Sequence, residues 1–381
     1  MADEESSSVQ SVISNDDLLT EILVRLPALS LVLFKSVSKH WFSLIKQAAN
    51  LTFRRNIDPP SGLFINKYTS YNKDEGSFNC EFVPLDIRIP LLATNNFSFC
   101  PEFQNECRAA VILDSCNGLL LCRTLSGKLY VCNPSISNMF KVLPQPDNVT
   151  WYPNNQFRDR LKMAFDPTKS SHYKLIYVES VVHDPHASNG IRVQIHTFSS
   201  ETGNWSLCGH RFCQHCFITF KFGVYWNDAI YWSTGVEVFK LDIMNEHPVL
   251  TTLPTPRLTI DERLRPTNFL FESHGCLLLV GAHVVPSRHY TIYEKRNVYS
   301  EWSVKYTVNL DDIIPDMFSR HENIFCIVLG EREEDSFLVW QLGRKVVQHK
   351  IVSKTVNTIS DLGPNDYLHG CFQFIPSFAN V

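Results

Sequence analysis

Asn117-Gly118-Leu119-Leu120-Leu121-Cys122-Arg123 is a polar-glycine turn opening directly into a short, unbroken apolar run. That is the mark of a short β-strand. The same arrangement recurs outward in both directions. Ser61-Gly62-Leu63-Phe64-Ile65-Asn66-Lys67 precedes it, with Gly62 lying 56 positions before Gly118. His172-Tyr173-Lys174-Leu175-Ile176-Tyr177 and Asn227-Asp228-Ala229-Ile230-Tyr231-Trp232 follow it. His274-Gly275-Cys276-Leu277-Leu278-Leu279 and Asp335-Ser336-Phe337-Leu338-Val339-Trp340 complete the series. From Gly62 to Ser336 the mean step is about 55 residues, near the roughly 40–50 of a propeller blade. A second marker agrees: Thr202-Gly203-Asn204-Trp205-Ser206 is echoed by Tyr299-Ser300-Glu301-Trp302-Ser303, with the tryptophans 97 positions apart, close to two steps.

The recurrences predict a mainly β chain built as a β-propeller of about six blades, with seven as the alternative count. Radial closure explains how so many apolar strands coexist without open sheet edges. The run from Leu368 to Phe374 is expected to pair with the first blade and close the ring. The competing architecture is a pair of β-sandwiches with coincidental spacing.

Composition points the same way. The chain has 381 residues, 44% hydrophobic and 12% aromatic, and its charged fraction of 19% is below the roughly 25% of an average domain. Low charge with many aromatics favours sheet. A net charge of −4 without a basic cluster argues against a nucleic-acid partner. Met1-Ala2-Asp3-Glu4-Glu5 lacks the basic and apolar regions of a signal peptide, and no stretch of 18 apolar residues occurs. No membrane partner is expected, and the expected location is cytoplasmic or nuclear. The twelve cysteines then sit in a reducing compartment and read as small buried hydrophobes.

The period changes toward the N-terminus. Residues 1–12 read as a polar, disordered lead. Residues 13–55 carry helical period: Ser14 with Asp17 fits a capping box, and Leu18, Leu19, Ile22, Leu23 and Leu26 form one apolar stripe ended by Pro27. A second short helix is expected over Ser30 to Lys35. A third, from near Ser38, puts Trp41, Leu44, Ile45 and Ala48 on one face. Three such helices form a small all-α domain with more apolar side chains than it can hide, which usually marks a protein–protein interface. Residues 56–60, with Asp58-Pro59-Pro60, read as a linker, and 61–375 as the propeller.

Residues 13–55 resemble an F-box. Asp16-Asp17 opens the first helix, Leu26-Pro27 ends it, and Val37-Ser38-Lys39-His40-Trp41 follows at the family spacing. Ile13-Ser14 stands where most F-boxes have Leu-Pro. Residues 61–375 look like the F-box-associated propeller domain of a large flowering-plant family, through Ser115-Cys116-Asn117-Gly118-Leu119-Leu120 and Val131-Cys132-Asn133-Pro134-Ser135. The resemblance implies a substrate adaptor of an SCF-type ubiquitin ligase. Its F-box would dock on a Skp-family linker protein and through it on cullin, and its propeller would bind a target protein not identified by the sequence. By matching position Leu18, Ile22, Leu23, Leu26, Pro27, Leu31, Val37, Trp41, Leu44 and Ile45 would build the F-box, part of them facing the linker. For Leu23 and Ile45 the alternative is packing inside the helical unit. The other reading of the chain is a stand-alone propeller holding a small molecule or glycan.

Motifs for phosphate binding, nucleophilic catalysis or zinc are not found, so neither catalytic residues nor a cofactor are expected. Cys213, His215 and Cys216 come nearest to a metal site, but on a strand Cys213 and His215 face one way and Cys216 the other, whereas zinc needs convergent ligands. Two long, least patterned loops, Pro144 to Asn155 and His183 to Gly190, are expected to contribute to target capture. The first offers Trp151 and Tyr152 as anchors.

Overall fold

The computed structural model describes residues 11–23, 26, 30–31, 34, 37–52, 60–70, 76–85, 110–124, 126–136, 139–145, 160–181, 192–208, 220, 222–233, 237–244, 250–256, 268–282, 289–311, 324–377 and 379–381. Two helices stand first, α1 (Asp16–Leu23) and α2 (Lys39–Thr52). Between them Ser30, Leu31 and Phe34 are helical. Of the lead expected over 1–12, residues 11 and 12 belong to a helical turn, and the rest lies outside the described residues.

After residue 60 the described regular elements are strands, apart from a 3-10 turn at Glu333–Asp335. β1 (Gly62–Ser70) and β2 (Gly76–Pro84) come first. Blade 1 is β3 (Val111–Cys116), β4 (Leu119–Arg123), β5 (Leu129–Cys132) and β6 (Phe140–Val142). Blade 2 is β7 (Leu161–Ala164), β8 (Lys174–Val181), β9 (Arg192–Ser199) and β10 (Asn204–Cys208). Blade 3 is β11 (Val224–Trp226), β12 (Ala229–Ser233), β13 (Val238–Asp242) and β14 (Leu250–Leu253). Blade 4 is β15 (Asn268–Ser273), β16 (Cys276–Ala282), β17 (His289–Lys295) and β18 (Ser303–Asn309). Blade 5 is β19 (Ile324–Val328), β20 (Phe337–Leu342), β21 (Lys345–Lys350) and β22 (Val356–Asp361). The last strand, β23 (Asp366–Phe374), pairs antiparallel with β1 from Gly62↔Phe374 to Thr69↔Asp366, giving blade 6 in the order β2-β1-β23.

The inner strands β3, β7, β11, β15, β19 and β23 each touch the next, and β23 returns to β3. The ring therefore closes with six blades, and the C-terminal run supplies the inner strand of the blade whose other described strands come from the start of the propeller. Seven blades and paired sandwiches are both set aside by this circuit.

All six runs that mark the repeat are the second strand of a blade: β1, β4, β8, β12, β16 and β20. The packing explains why they lack alternation. The apolar core is divided into six clusters, one per seam between neighbouring blades. Leu119 and Leu121 point into the seam between blades 1 and 2, and Leu120 points into the seam between blades 6 and 1. Leu277 and Leu279 likewise join the seam of blades 3 and 4, and Leu278 that of blades 4 and 5. A strand sandwiched on both faces needs apolar residues at every position. The turns that open these strands repeat as well. Asn117 and Gly118, Asn227 and Asp228, and His274 and Gly275 all have positive φ, as a tight two-residue hairpin requires.

Candidate functional site

Two places offer chemistry, the surface of the helical unit and the channel through the ring. In the helical unit, the side-chain carbonyl of Asn15 accepts the N–H of Asp17 at 3.0 Å and of Leu18 at 3.2 Å. Asn15, not Ser14, therefore caps α1; the Ser14 hydroxyl donates to the Ser11 carbonyl instead. Ser38 caps α2 by accepting the Trp41 N–H at 3.1 Å. Leu19, Leu23, Leu31, Leu44 and Ile45 fill the core, with Leu26 and Trp41 packed at its edge. The Trp41 ring also meets Phe34 edge-on, centroids 5.8 Å apart.

The ten candidate residues divide accordingly. Leu23, Leu31, Leu44 and Ile45 are buried inside the unit, where they build its core. Leu18 and Ile22, four apart on α1, are exposed at 49% and 46%, and Val37 at 60%. Leu26 and Trp41 are half-buried. Pro27 lies outside the described residues. Three exposed apolar residues were not among the candidates: Ile13, Phe34 and Phe42. Phe42 sits beside Trp41 on α2, and only the helix rotation set by Leu44 and Ile45 reveals that it faces water.

The ring encloses a cavity of about 730 Å³ lined by residues of all six blades. Its charged groups sit near the ends of the inner strands. Asp114 on β3 accepts the Met163 N–H at 2.8 Å and lies 3.6 Å from the Lys162 ammonium. Burial raises its pKa, while Lys162 pulls it back down. Glu272 on β15 accepts the Gly275 N–H at 2.9 Å. Removal from water, opposed only by that hydrogen bond, pushes its pKa up to about 7. The Cys116 thiol is pushed up as well, chiefly by burial and then by the Asp114 charge. Gln373 on β23 donates to the Ile327 carbonyl at 2.7 Å and to the Glu272 carbonyl at 3.2 Å, and its own carbonyl accepts from the Ser115 hydroxyl at 2.7 Å. These bonds tie blades 1, 4, 5 and 6 together at one level of the channel.

The cysteines behave as small hydrophobes where they are described: Cys116, Cys122, Cys132, Cys326 and Cys371 are buried, and all the described ones are free. Cys213, His215, Cys216, Trp151 and Tyr152 lie outside the described residues. No described helix is long and apolar enough to cross a membrane.

Comparison with known proteins matches both parts of the chain. The model of the F-box domain matches residues 15–51, and that of the F-box associated beta propeller domain matches residues 77–251, from β2 into β14. F-box protein At5g07610 of Arabidopsis thaliana is 28% identical, covering 99% of this chain and 94% of its own length. F-box protein At2g43440 of the same plant is 26% identical over 64% of this chain and 55% of its own length. Among solved structures, oligogalacturonate lyase from Vibrio parahaemolyticus overlays with a TM-score of 0.38 at 10% identity over 80% of each chain, too loose to bear on function. With its capped helical unit at 15–51 and its six-bladed ring, the chain belongs to the F-box proteins that carry an F-box-associated β-propeller domain.

Proposed function

We propose that this chain is the target-recognition subunit of an SCF-type ubiquitin ligase in the cytoplasm or nucleus. Its F-box sits on a Skp-family linker protein, which joins it to cullin, and its propeller holds the protein to be ubiquitinated for proteasomal degradation. The observation that carries this reading is the exposed set Leu18, Ile22 and Val37 around a helical unit whose own core is already filled. Apolar side chains left in water beside a packed core supply the anchors of an interface. The chain itself performs no ubiquitin chemistry. It contributes proximity, turning the encounter of ligase and target into a tethered one. Trp151 and Tyr152 are the anchors proposed for the target, on sequence grounds.

Co-expression of the full chain with a Skp-family linker protein tests the reading. A stable complex is expected, and Leu18→Asp with Ile22→Asp should abolish it while the melting temperature of the free chain stays within about 2 °C, since exposed substitutions cost little. A folded wild-type chain that fails to bind the linker would refute the proposal in favour of a stand-alone propeller.

A further inference from the structure

The channel contains three carboxylates along its wall, Asp114, Asp166 and Glu272, and they are not equivalent. Asp114 has Lys162 at 3.6 Å and the Met163 N–H. Asp166 has Lys169 at 3.6 Å, and its Oδ1 accepts from the Thr168 N–H at 3.0 Å and hydroxyl at 2.6 Å. Glu272 has the Gly275 N–H alone, and no described cation pairs with it. Two residues on, in the turn that follows, His274 also lines the channel, and its buried Nδ1 has no hydrogen-bond partner in the structure. An unpaired carboxylate and an unsatisfied imidazole nitrogen thus share one wall of a 730 Å³ space.

Leaving such groups unmatched is costly, of order 1–3 kcal/mol for each buried polar atom and more for a charge. The surrounding wall does not give way to relieve it. Gln373 fixes the Glu272 carbonyl to Ile327 and is itself held by Ser115. The rest of the lining is largely apolar and aromatic, including Ile112, Met163, Phe269 and Phe271. A rigid apolar cavity of this size with a few convergent polar groups is the usual form of a small-molecule site, for which about 300–1,000 Å³ is typical.

We propose that the central channel binds a small organic cation, an ammonium group on an apolar body, with the charge taken by the Glu272 carboxylate and the body packed among the channel's aromatic and aliphatic side chains. The wall selects for positive charge because Asp114 faces Lys162 and Asp166 shares Lys169 with Asp228, whereas among the described residues no cation faces Glu272. The raised pKa of Glu272 adds a consequence. An incoming cation stabilises the ionised carboxylate, so binding releases a proton and strengthens as pH rises through about 7. The site is independent of the linker-binding surface and does not rest on the ligase reading.

The test uses the full chain and three probes of one shape: 2-phenylethylammonium, 2-phenylethanol and 3-phenylpropionate. Thermal shift and calorimetry at pH 7 should show saturable binding of the ammonium, with the alcohol and the carboxylate at least about tenfold weaker. Titrations in two buffers of different ionisation enthalpy should report net proton release on ammonium binding, since the cation favours the ionised form of Glu272. Glu272→Gln keeps the shape and the bond from Gly275. It should lower ammonium affinity at least tenfold and leave the alcohol unchanged. Equal affinity for the three probes, no saturable binding of any, or an ammonium affinity indifferent to Glu272→Gln would each overturn the proposal. Should the variant fail to fold, the probe ranking and the proton count on the wild-type chain decide the matter.

Discussion

The side-chain amide of Asn133 donates to the carbonyl of Ala379, 246 positions later, at 2.8 Å. The same nitrogen reaches the Ser377 carbonyl at 3.0 Å, and the Asn133 carbonyl oxygen accepts the Ser135 N–H at 2.9 Å. Ser377 N–H in turn donates to the Ser135 hydroxyl at 3.0 Å. Asn133 is 1% exposed, and Ala379 packs into the seam between blades 1 and 2. The segment Val131-Cys132-Asn133-Pro134-Ser135 is therefore the seat of the chain's last residues. Gly118 serves the same end: its φ is +88°, and a Cβ there would meet the Ile375 carbonyl at 2.8 Å. After β23 has closed the ring, the tail is clamped across blade 1.

Asn133→Ala should destabilise the propeller by about 2–4 kcal/mol, because it strands two buried carbonyls and one N–H. Urea unfolding with intact m-value reads this loss. A midpoint equal to that of wild type would show that the tail clamp is incidental.

The Trp205 indole donates to the Pro144 carbonyl at 2.8 Å, and the Trp302 indole to the Pro254 carbonyl at 2.9 Å. Each bond ties the outer edge of one blade, Trp205 in β10 and Trp302 just before β18, to the exit of the blade before it. Trp205→Phe and Trp302→Phe keep most of the ring and lose the donor, at about 1 kcal/mol each. The double variant should show the sum within about 0.5 kcal/mol, since the two seams share no partner. Strong non-additivity in the unfolding data would mean that the blades communicate across the ring.

Within the F-box, inward and outward residues should separate by readout. Leu23→Ala empties a fully buried site and should cost the helical unit about 2–5 kcal/mol. Linker binding then falls together with resistance to proteolysis of residues 13–52. Val37→Asp should reduce binding with no change in the proteolysis pattern. If Val37→Asp leaves linker affinity intact, the exposed face lies elsewhere.

His349 on β21 is 1% exposed, and neither ring nitrogen has a hydrogen-bond partner in the structure. Burial, and then the Lys354 charge, lower its pKa from 6.5. The unfolded chain therefore takes up a proton as pH falls below about 6.5 while the folded one does not, and stability drops through that window. His349→Leu should widen its melting-temperature advantage over wild type between pH 7 and pH 5. Parallel melting curves across that range would remove His349 as the source.

How much of this was legible in the sequence follows from which interactions are local. The six apolar runs stood out because a second strand buries both faces, so its sequence loses the alternation of an ordinary strand. The Asn-Gly and His-Gly pairs were legible as turns, and the structure shows the positive φ that such tight turns need. The helical unit was legible from its stripes and from Leu26-Pro27. The choice of Ser14 as the cap missed, because Ser14 and Asn15 are both good caps and helix phase, set by Leu19 and Leu23 packing, decides between them.

By itself the sequence determined the repeat, the number of strong strands and the presence of a short helical unit with surplus apolar side chains, since these depend on residue type and spacing along the chain. The sequence already suggested that the run from Leu368 to Phe374 pairs with the first blade; only the tertiary structure decided that β23 does so as the inner strand beside β1, a register that leaves no trace in local pattern. It also decided that Leu23, Leu31, Leu44 and Ile45 turn inward while Leu18, Ile22 and Val37 face water. A stripe on an isolated helix is wider than the face a neighbour covers, so its sequence cannot say which part is left over. Glu272 is the clearest case: nothing in Phe271-Glu272-Ser273 distinguishes it from a solvated surface carboxylate. Its isolation arises because β15 is an inner strand of a closed ring, which carries the side chain into the channel, where the Lys162 ammonium pairs with Asp114 instead.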